Sequence, residues 1–196
     1  MEKKRWLLDY DEISRLGMVS YISAVQETEG LSGQEQVRKQ ADMFIDDLLS
    51  LLLLSYERGI RDVGEMLGFA PRLNSRAMEA AIYEKIDGKT FEDRVREHVA
   101  AQDTGRLASL TESEAHRVYS QAGEDAARQA AAPVQKTWVT MGDPHVRDTH
   151  DYIDGASVSL DEEFYTFDGD HAMRPGGFQL AENNVNCRCW LRYQYA

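Results

Sequence analysis

The chain has 196 residues, of which 42% are hydrophobic, and it carries 22 Lys and Arg against 34 Asp and Glu. This length suits one domain of average size, or a helical arm joined to a small domain. The formal net charge of −12 opposes the neutralisation of phosphates on which nucleic-acid affinity rests. The composition therefore disfavours direct DNA binding and favours protein partners.

The most apolar run of the sequence, LLSLLLLSY, extends only from Leu48 to Tyr56. A bilayer span needs roughly twenty apolar residues, so this run is expected to be a buried helix face and no membrane association is expected. At the amino end, Asp9, Asp11 and Glu12 interrupt any apolar core of a signal peptide. We expect a protein made in a reducing cytoplasm.

A single long helix is predicted for the first third of the chain. From Ser32 to Leu67, apolar and small residues recur at three- and four-residue steps, which is the spacing of an amphipathic helix. Ser32 with Glu35 predicts a capping box at its start, and Gly68 followed by Pro71 predicts its end. Such a helix is long for a small domain and predicts an arm or one wall of a bundle.

Three shorter helices are predicted downstream, around SRAMEAAIYEKI, around KTFEDRVREHV and over Thr111 to Ala132. Thr90 is expected to cap the second of them, with Asp93 three residues on. Thr111 is expected to cap the third, with Glu114 completing a box, and Pro133 to end it.

The composition changes after Pro133, where Gly, Asp and aromatic residues replace the helix formers. KTWVTM and CRCWLRY predict strands by their β-branched and aromatic content, and GDP, DGA, DGD and RPGG predict turns. The predicted fold class is α+β, with a helical amino-terminal part and a small β-containing carboxyl-terminal part.

The only two cysteines, Cys187 and Cys189, are separated by one residue. On a strand their sulfurs would point to one side. Two thiolates with a histidine nitrogen form the donor set that zinc prefers. His145 and His150 are five residues apart, which suits neither one helical nor one strand face, so only one need be a ligand. Plain packing of two small apolar thiols, or a redox role, are the alternatives.

An enzyme is the competing class of function. His150 with Asp151, Asp154 and Arg147 resembles an acid–base set for phosphodiester cleavage by a metal- or His-dependent nuclease-like or toxin-like effector. However, the sequence holds no nucleophile elbow, P-loop or HExxH motif. We therefore expect no enzymatic activity and no catalytic residues.

The chain from about Leu31 onward, and most specifically from Lys136 to Tyr193, resembles the phage Mu protein F-like minor head proteins, the phage head morphogenesis family. The matching elements occur in the family's order: Lys136 and Trp138 of a Lys-x-Trp strand, Asp143, Arg147 with His150, Asp154-Gly155, the run Val158 to Phe164, Pro175-Gly176, and Asn186 to Cys189. The motif residues are Lys136, Trp138, Asp143, Arg147, His150, Gly155, Asn186, Cys187 and Cys189. His145 stands where related sequences often have an acidic residue, which favours His150 as the ligand.

The resemblance implies a minor capsid protein of a tailed phage or prophage. It implies a helical amino-terminal region over residues 1–88 and a head morphogenesis domain over residues 89–196. Such proteins associate with the portal and inner capsid and support procapsid assembly and DNA packaging or delivery. We accordingly expect a protein made in the host bacterial cytoplasm and located in the virion, inside the head near the portal vertex.

The resemblance also indicates partners, namely the portal protein, the major capsid protein or a scaffold protein. The apolar stripe of the long helix is the candidate contact surface, represented by Phe44, Leu48, Leu51, Leu52 and Val63. The alternative is that this stripe closes the protein's own core. Zinc bound by His150, Cys187 and Cys189 would brace a turn-rich segment that buries little apolar surface by itself.

Overall fold

The computed structural model describes residues 10–196 and has the predicted α+β class. The expectations for the first nine residues, including the lack of a signal peptide, lie outside this range. Within it, no helix is both long enough and apolar enough to cross a membrane. The helices are α1 (Tyr10–Glu27), α2 (Gly33–Leu67), α3 (Ser75–Ile82), α4 (Phe91–Ala100), α5 (Thr104–Ala127), α6 (Asp148–Asp151) and α7 (Ala181–Asn184).

The long predicted helix is α2, and its end is confirmed. Gly68 adopts a left-handed φ of 71° and its N–H bonds to the carbonyl of Gly64, as a glycine past a helix end does. The predicted capping box at the start is wrong, because the Ser32 side chain makes no cap hydrogen bond. The chain turns at Gly33, the first residue of α2, which has a φ of 60°.

Helix α4 has the predicted capping box between Thr90 and Asp93. Helix α5 begins seven residues before the predicted start, because Asp103 caps it by accepting a hydrogen bond from the N–H of Arg106. Thr111 is therefore an interior residue whose hydroxyl donates to the carbonyl of Leu107. Glu114 makes a buried ion pair with Arg117 instead of completing a box.

Helices α2 and α5 pack closely and form the centre of the core. At Gly59 a Cβ atom would lie 2.4 Å from the carbonyl oxygen of Tyr119, so no larger residue fits without a shift of one helix. Four of the five residues proposed for partner contact, Phe44, Leu48, Leu52 and Val63, are buried in this core, and Leu51 is half-buried. The stripe of α2 thus closes the protein's own core, and a partner could reach it only near Leu51.

The carboxyl-terminal part holds β1 (Val134–Val139), β2 (Ser157–Ser159), β3 (Phe164–Tyr165), β4 (His171–Ala172) and β5 (Trp190–Tyr195). Strand β1 lies between β2 and β5 in an antiparallel sheet, and β3 pairs with β4. The predicted first strand corresponds to β1. The predicted strand CRCWLRY is formed only in its second half, since β5 begins at Trp190.

Because α2 and α5 approach so closely, we expect any side chain at position 59 to destabilise the folded protein. Gly59→Ala is expected to lower the free energy of unfolding by about 1–3 kcal/mol through overpacking. Gly105→Ala is the control, because the nearest atom to its Cβ would be 3.7 Å away, and it should leave stability equal or raise it by up to about 1 kcal/mol. Urea unfolding curves measure both. Equal stability of the two variants would contradict the packing.

Candidate metal centre

Three side chains that the sequence analysis singled out as metal ligands come together in the structure. The Nδ1 atom of His150 lies 3.7 Å from the sulfur of Cys187 and 3.3 Å from that of Cys189. The three donor atoms all lie within 4.8 Å of one another, and the three residues are buried. Within residues 10–196 no other group of three or more His, Cys, Asp or Glu converges in this way.

Aromatic rings hold the imidazole of His150 in place. His150 lies in α6, a single helical turn, where its N–H bonds to the carbonyl of Arg147. Its ring stacks on Phe178 at a centroid distance of 5.2 Å and meets the edge of Trp138 at 5.5 Å. These contacts direct Nδ1 at the sulfurs and leave the buried Nε2 without a hydrogen-bond partner.

The two cysteines precede β5 rather than lying in it, so strand alternation does not explain their common orientation. Asn186 has a positive φ of 55°, a conformation that asparagine tolerates well, and turns the chain into Cys187. At the other cysteine, the Nε2 atom of His116 in α5 lies 2.8 Å from the carbonyl oxygen of Cys189. A turn and a buried histidine thus fix the backbone that carries both sulfurs.

Their contact with each other shifts the pKa values of the two thiols in opposite directions. A hydrogen bond from Cys189, together with one from His150, holds the pKa of Cys187 well below its ordinary value. The same hydrogen bond and burial raise the pKa of Cys189. The two sulfurs and the imidazole are soft donors that fit three of the four ligand positions of a tetrahedral zinc site.

The other motif residues surround this centre. Trp138 is buried and also contacts Phe164, at a ring centroid distance of 5.2 Å. Asp143 makes a 2.6 Å ion pair with Arg188, which lowers the pKa of Asp143. Arg147 donates to the carbonyl of Val185. Gly155, with a φ of 77°, donates its N–H to the carbonyl of Trp138 and so closes the turn before β2.

The residues of the alternative catalytic set do not form one site. The imidazole of His150 is buried, whereas Asp151 is exposed. Asp154 accepts a hydrogen bond from the N–H of Thr140 and thereby serves the turn. The side chain of Arg147 is engaged with the backbone at Val185. This arrangement does not present an acid–base pair in an open cleft.

A surface cavity of about 380 Å³ adjoins the cluster and is a route by which an ion could reach it. Its lining consists of Glu112, Ser113, His145, Arg147, Asn186, Cys187 and Arg188. Of the three donor residues only Cys187 lines this cavity. The cluster therefore meets the requirement that a protein metal site have an entry path.

The sequence of residues 75–192 matches the family described as Phage Mu protein F like protein. The chain belongs to this family. All nine motif residues lie within the matched range. The Mu F-like part therefore includes α3, α4 and α5 as well as the sheet and the donor cluster.

Two relatives have 37% identity to the chain. One is the NAD(+)–arginine ADP-ribosyltransferase EFV of Enterococcus faecalis (strain ATCC 700802 / V583), matched over 91 residues, 46% of this chain and 17% of that protein. The other is the minor head protein GP7 of Bacillus phage SPP1, matched over 90 residues, 45% of this chain and 29% of that protein. The matches thus cover less than a third of either relative. No solved structure matches the chain.

Two supports of the Mu F-like site could not be read from the sequence. His116 is one, because no pattern links it to Cys189. The other is Asp170, whose buried carboxylate accepts hydrogen bonds from Asn183 and from the N–H groups of His171, Gln179 and Leu180. Burial opposes ionisation of Asp170, but these hydrogen bonds lower its pKa. These hydrogen bonds hold the loop in which Phe178 packs against His150. The sequence indicated only a turn at DGD, residues 168–170, and not this role of Asp170.

Lys136, the first residue of the Lys-x-Trp motif, is completely buried in β1. Its amine donates to the carbonyl of Met173 at 2.8 Å and lies 5.5 Å from the ring centre of Phe164. Burial lowers the pKa of Lys136 to about 8 from 10.5. Between these two pH values the unfolded chain holds more protons than the folded one, so stability rises with pH.

We expect the free energy of unfolding to rise between pH 8 and 10 by up to about 2 kcal/mol from this one group. In Lys136→Met this contribution is absent, whereas Lys89→Met, at an exposed lysine paired with Glu97, retains it. Urea unfolding at each pH, compared among the three proteins, measures the contribution. The same pH dependence in Lys136→Met and the unmodified protein would contradict it.

Proposed function

We propose that the chain is a minor head protein of a tailed phage or prophage. The observation that carries this proposal is membership of the Mu F-like family, over residues 75–192, together with 37% identity to a protein named as a minor head protein. Because the chain spans 29% of that relative, the role concerns the part of a head protein that the Mu F-like segment supplies.

The partners in this proposal are the portal protein and the major capsid or scaffold protein. The proposed location is inside the head near the portal vertex, where the chain supports procapsid assembly and DNA packaging or delivery. A net charge of −12 supports contacts with protein rather than with the packaged duplex. The proposed division is a helical amino-terminal region over 1–88 and a head morphogenesis domain over 89–196, whereas the family match begins earlier, at residue 75.

We further propose that zinc is held by His150, Cys187 and Cys189 and has a structural role. The bound ion would supply a strong link between α6 and the segment before β5. The short strands β2, β3 and β4 have two or three residues each, so this part of the chain has little regular structure of its own. A metal link supplies folding free energy in such cases.

An enzymatic role is the less favoured proposal, although one relative is named an ADP-ribosyltransferase. That match spans 17% of the relative, and a similar length of this chain matches a head protein at the same identity. A shared fold segment does not transfer an activity. The burial of His150 and the separate engagements of Asp154 and Arg147 support a structural role.

The proposed function predicts that the chain is a component of the head. Heads purified from the phage or prophage that encodes it should contain the chain at low copy number, measured by quantitative mass spectrometry against the major capsid protein. Deletion of its gene should lower the number of infectious or DNA-filled particles, and a plasmid copy should restore it.

Two results would contradict the proposal. One is the absence of the chain from purified heads, together with normal particle yield after gene deletion. The other is phosphodiesterase or ADP-ribosyl transfer activity in the purified chain that is lost in Arg147→Ala, since the proposed role leaves Arg147 as a support of the backbone at Val185.

A further inference from the structure

An apolar groove lies between α1 and α2, on the amino-terminal side of the Mu F-like segment. The two helices form an antiparallel hairpin, in which Tyr21 packs edge-on against Phe44 and Ser20 donates to Asp47 at 2.6 Å. The groove has a volume of about 400 Å³. Its apolar lining includes Leu16, Val19, Phe44, Leu48, Leu51 and Leu54.

Large aliphatic side chains are exposed along both walls of this groove. Leu16 and Val19 of α1 are 49% and 57% exposed, and Leu54 of α2 is 63% exposed. They recur at three- to four-residue steps on their helices, which is the spacing that one face of a third helix would contact. A contiguous apolar surface of this kind marks an interaction site more often than scattered exposed residues do.

The base of the groove is fixed by a third helix. At Gly17 a Cβ atom would lie 2.6 Å from the hydroxyl oxygen of Thr111, so α1 crosses α5 in direct contact. Phe44 and Leu48 form the buried part of the lining. The groove is therefore formed before any partner binds, which lowers the ordering cost of binding.

The charge around the groove selects the chemistry of its occupant. Asp47 belongs to the groove lining, and Glu12 and Glu27 lie one helical turn before Leu16 and one turn after Ser23 on the groove face of α1. The basic side chain on the groove face of α2, Arg58, is already paired with Asp62 at 2.7 Å. Acidic flanks attract a basic partner and repel a second copy of a chain with a net charge of −12.

We propose that the α1–α2 groove binds an amphipathic helix of another protein, whose apolar stripe is flanked by Lys or Arg. This inference rests on the proposed head-protein role only for the presence of protein partners. It places the contact on Leu16, Val19, Leu51 and Leu54 rather than on the buried stripe of α2. Three helices then pack together, with the apolar side chains of the partner between the walls.

The test uses the full chain and two fluorescent helical peptides with the same leucine stripe, one with lysine flanks and one with glutamate flanks. Fluorescence anisotropy should show that the lysine peptide binds about tenfold or more tightly than the glutamate peptide, with an affinity that falls as salt rises. Glu12→Gln with Glu27→Gln should reduce this preference. Val19→Gln with Leu54→Gln should weaken binding of the lysine peptide about tenfold or more.

Leu73→Gln is the control, because Leu73 is 55% exposed but lies outside the groove, and it should bind as the unmodified chain does. Absence of binding, or equal binding by the groove variant and the control, would overturn the proposal. Sedimentation that shows a dimer dissociated by the groove substitutions would assign the groove to a second copy instead. Peptide binding tests the groove alone, whereas composition of purified heads tests the head-protein role.

Discussion

The contact between the imidazole of His150 and two sulfurs is the interaction on which the carboxyl-terminal part of this protein depends. It joins α6 to the segment that leads into β5, two places separated by nearly forty residues of mostly irregular chain. Trp138 and Phe178 enclose the imidazole, so the central strand β1 and the loop between β4 and α7 meet at the same point. A zinc ion at this point would link α6 to the segment before β5 through its bonds to the two sulfurs and the imidazole.

The helices supply the surface on which this brace is built. Helix α5 contacts α2 so closely at Gly59 that the two act as one support, and α5 also presents His116 to the backbone of Cys189. The Mu F-like match begins at α3 and includes α5, so the family segment contains both this helix and the donor cluster. The apolar groove is formed mainly by α1 and α2, which precede the family segment, with Thr111 of α5 at its base.

Sequence reasoning succeeded where the determining interactions are local. The Thr90 cap, the Gly68 terminus and the Lys-x-Trp strand each follow from residues within one turn or one strand. It failed for Thr111, because the helix had already begun at Asp103 and Thr111 contacts α1 at Gly17. The donor cluster was predicted from residue types, although through a strand that is not formed at the cysteines. Supports such as His116 and Asp170 depend on contacts between distant positions that no spacing reveals.

The central claim, a structural zinc ion at His150, Cys187 and Cys189, is tested most directly by native mass spectrometry of the protein produced with zinc supplied. The account predicts about one zinc ion per chain in the unmodified protein and in His145→Gln, and none in His150→Gln. His145 is the matched control because it is an exposed histidine of the adjoining cavity and no member of the donor cluster. A folded protein without zinc, or zinc retained in His150→Gln, would contradict the account.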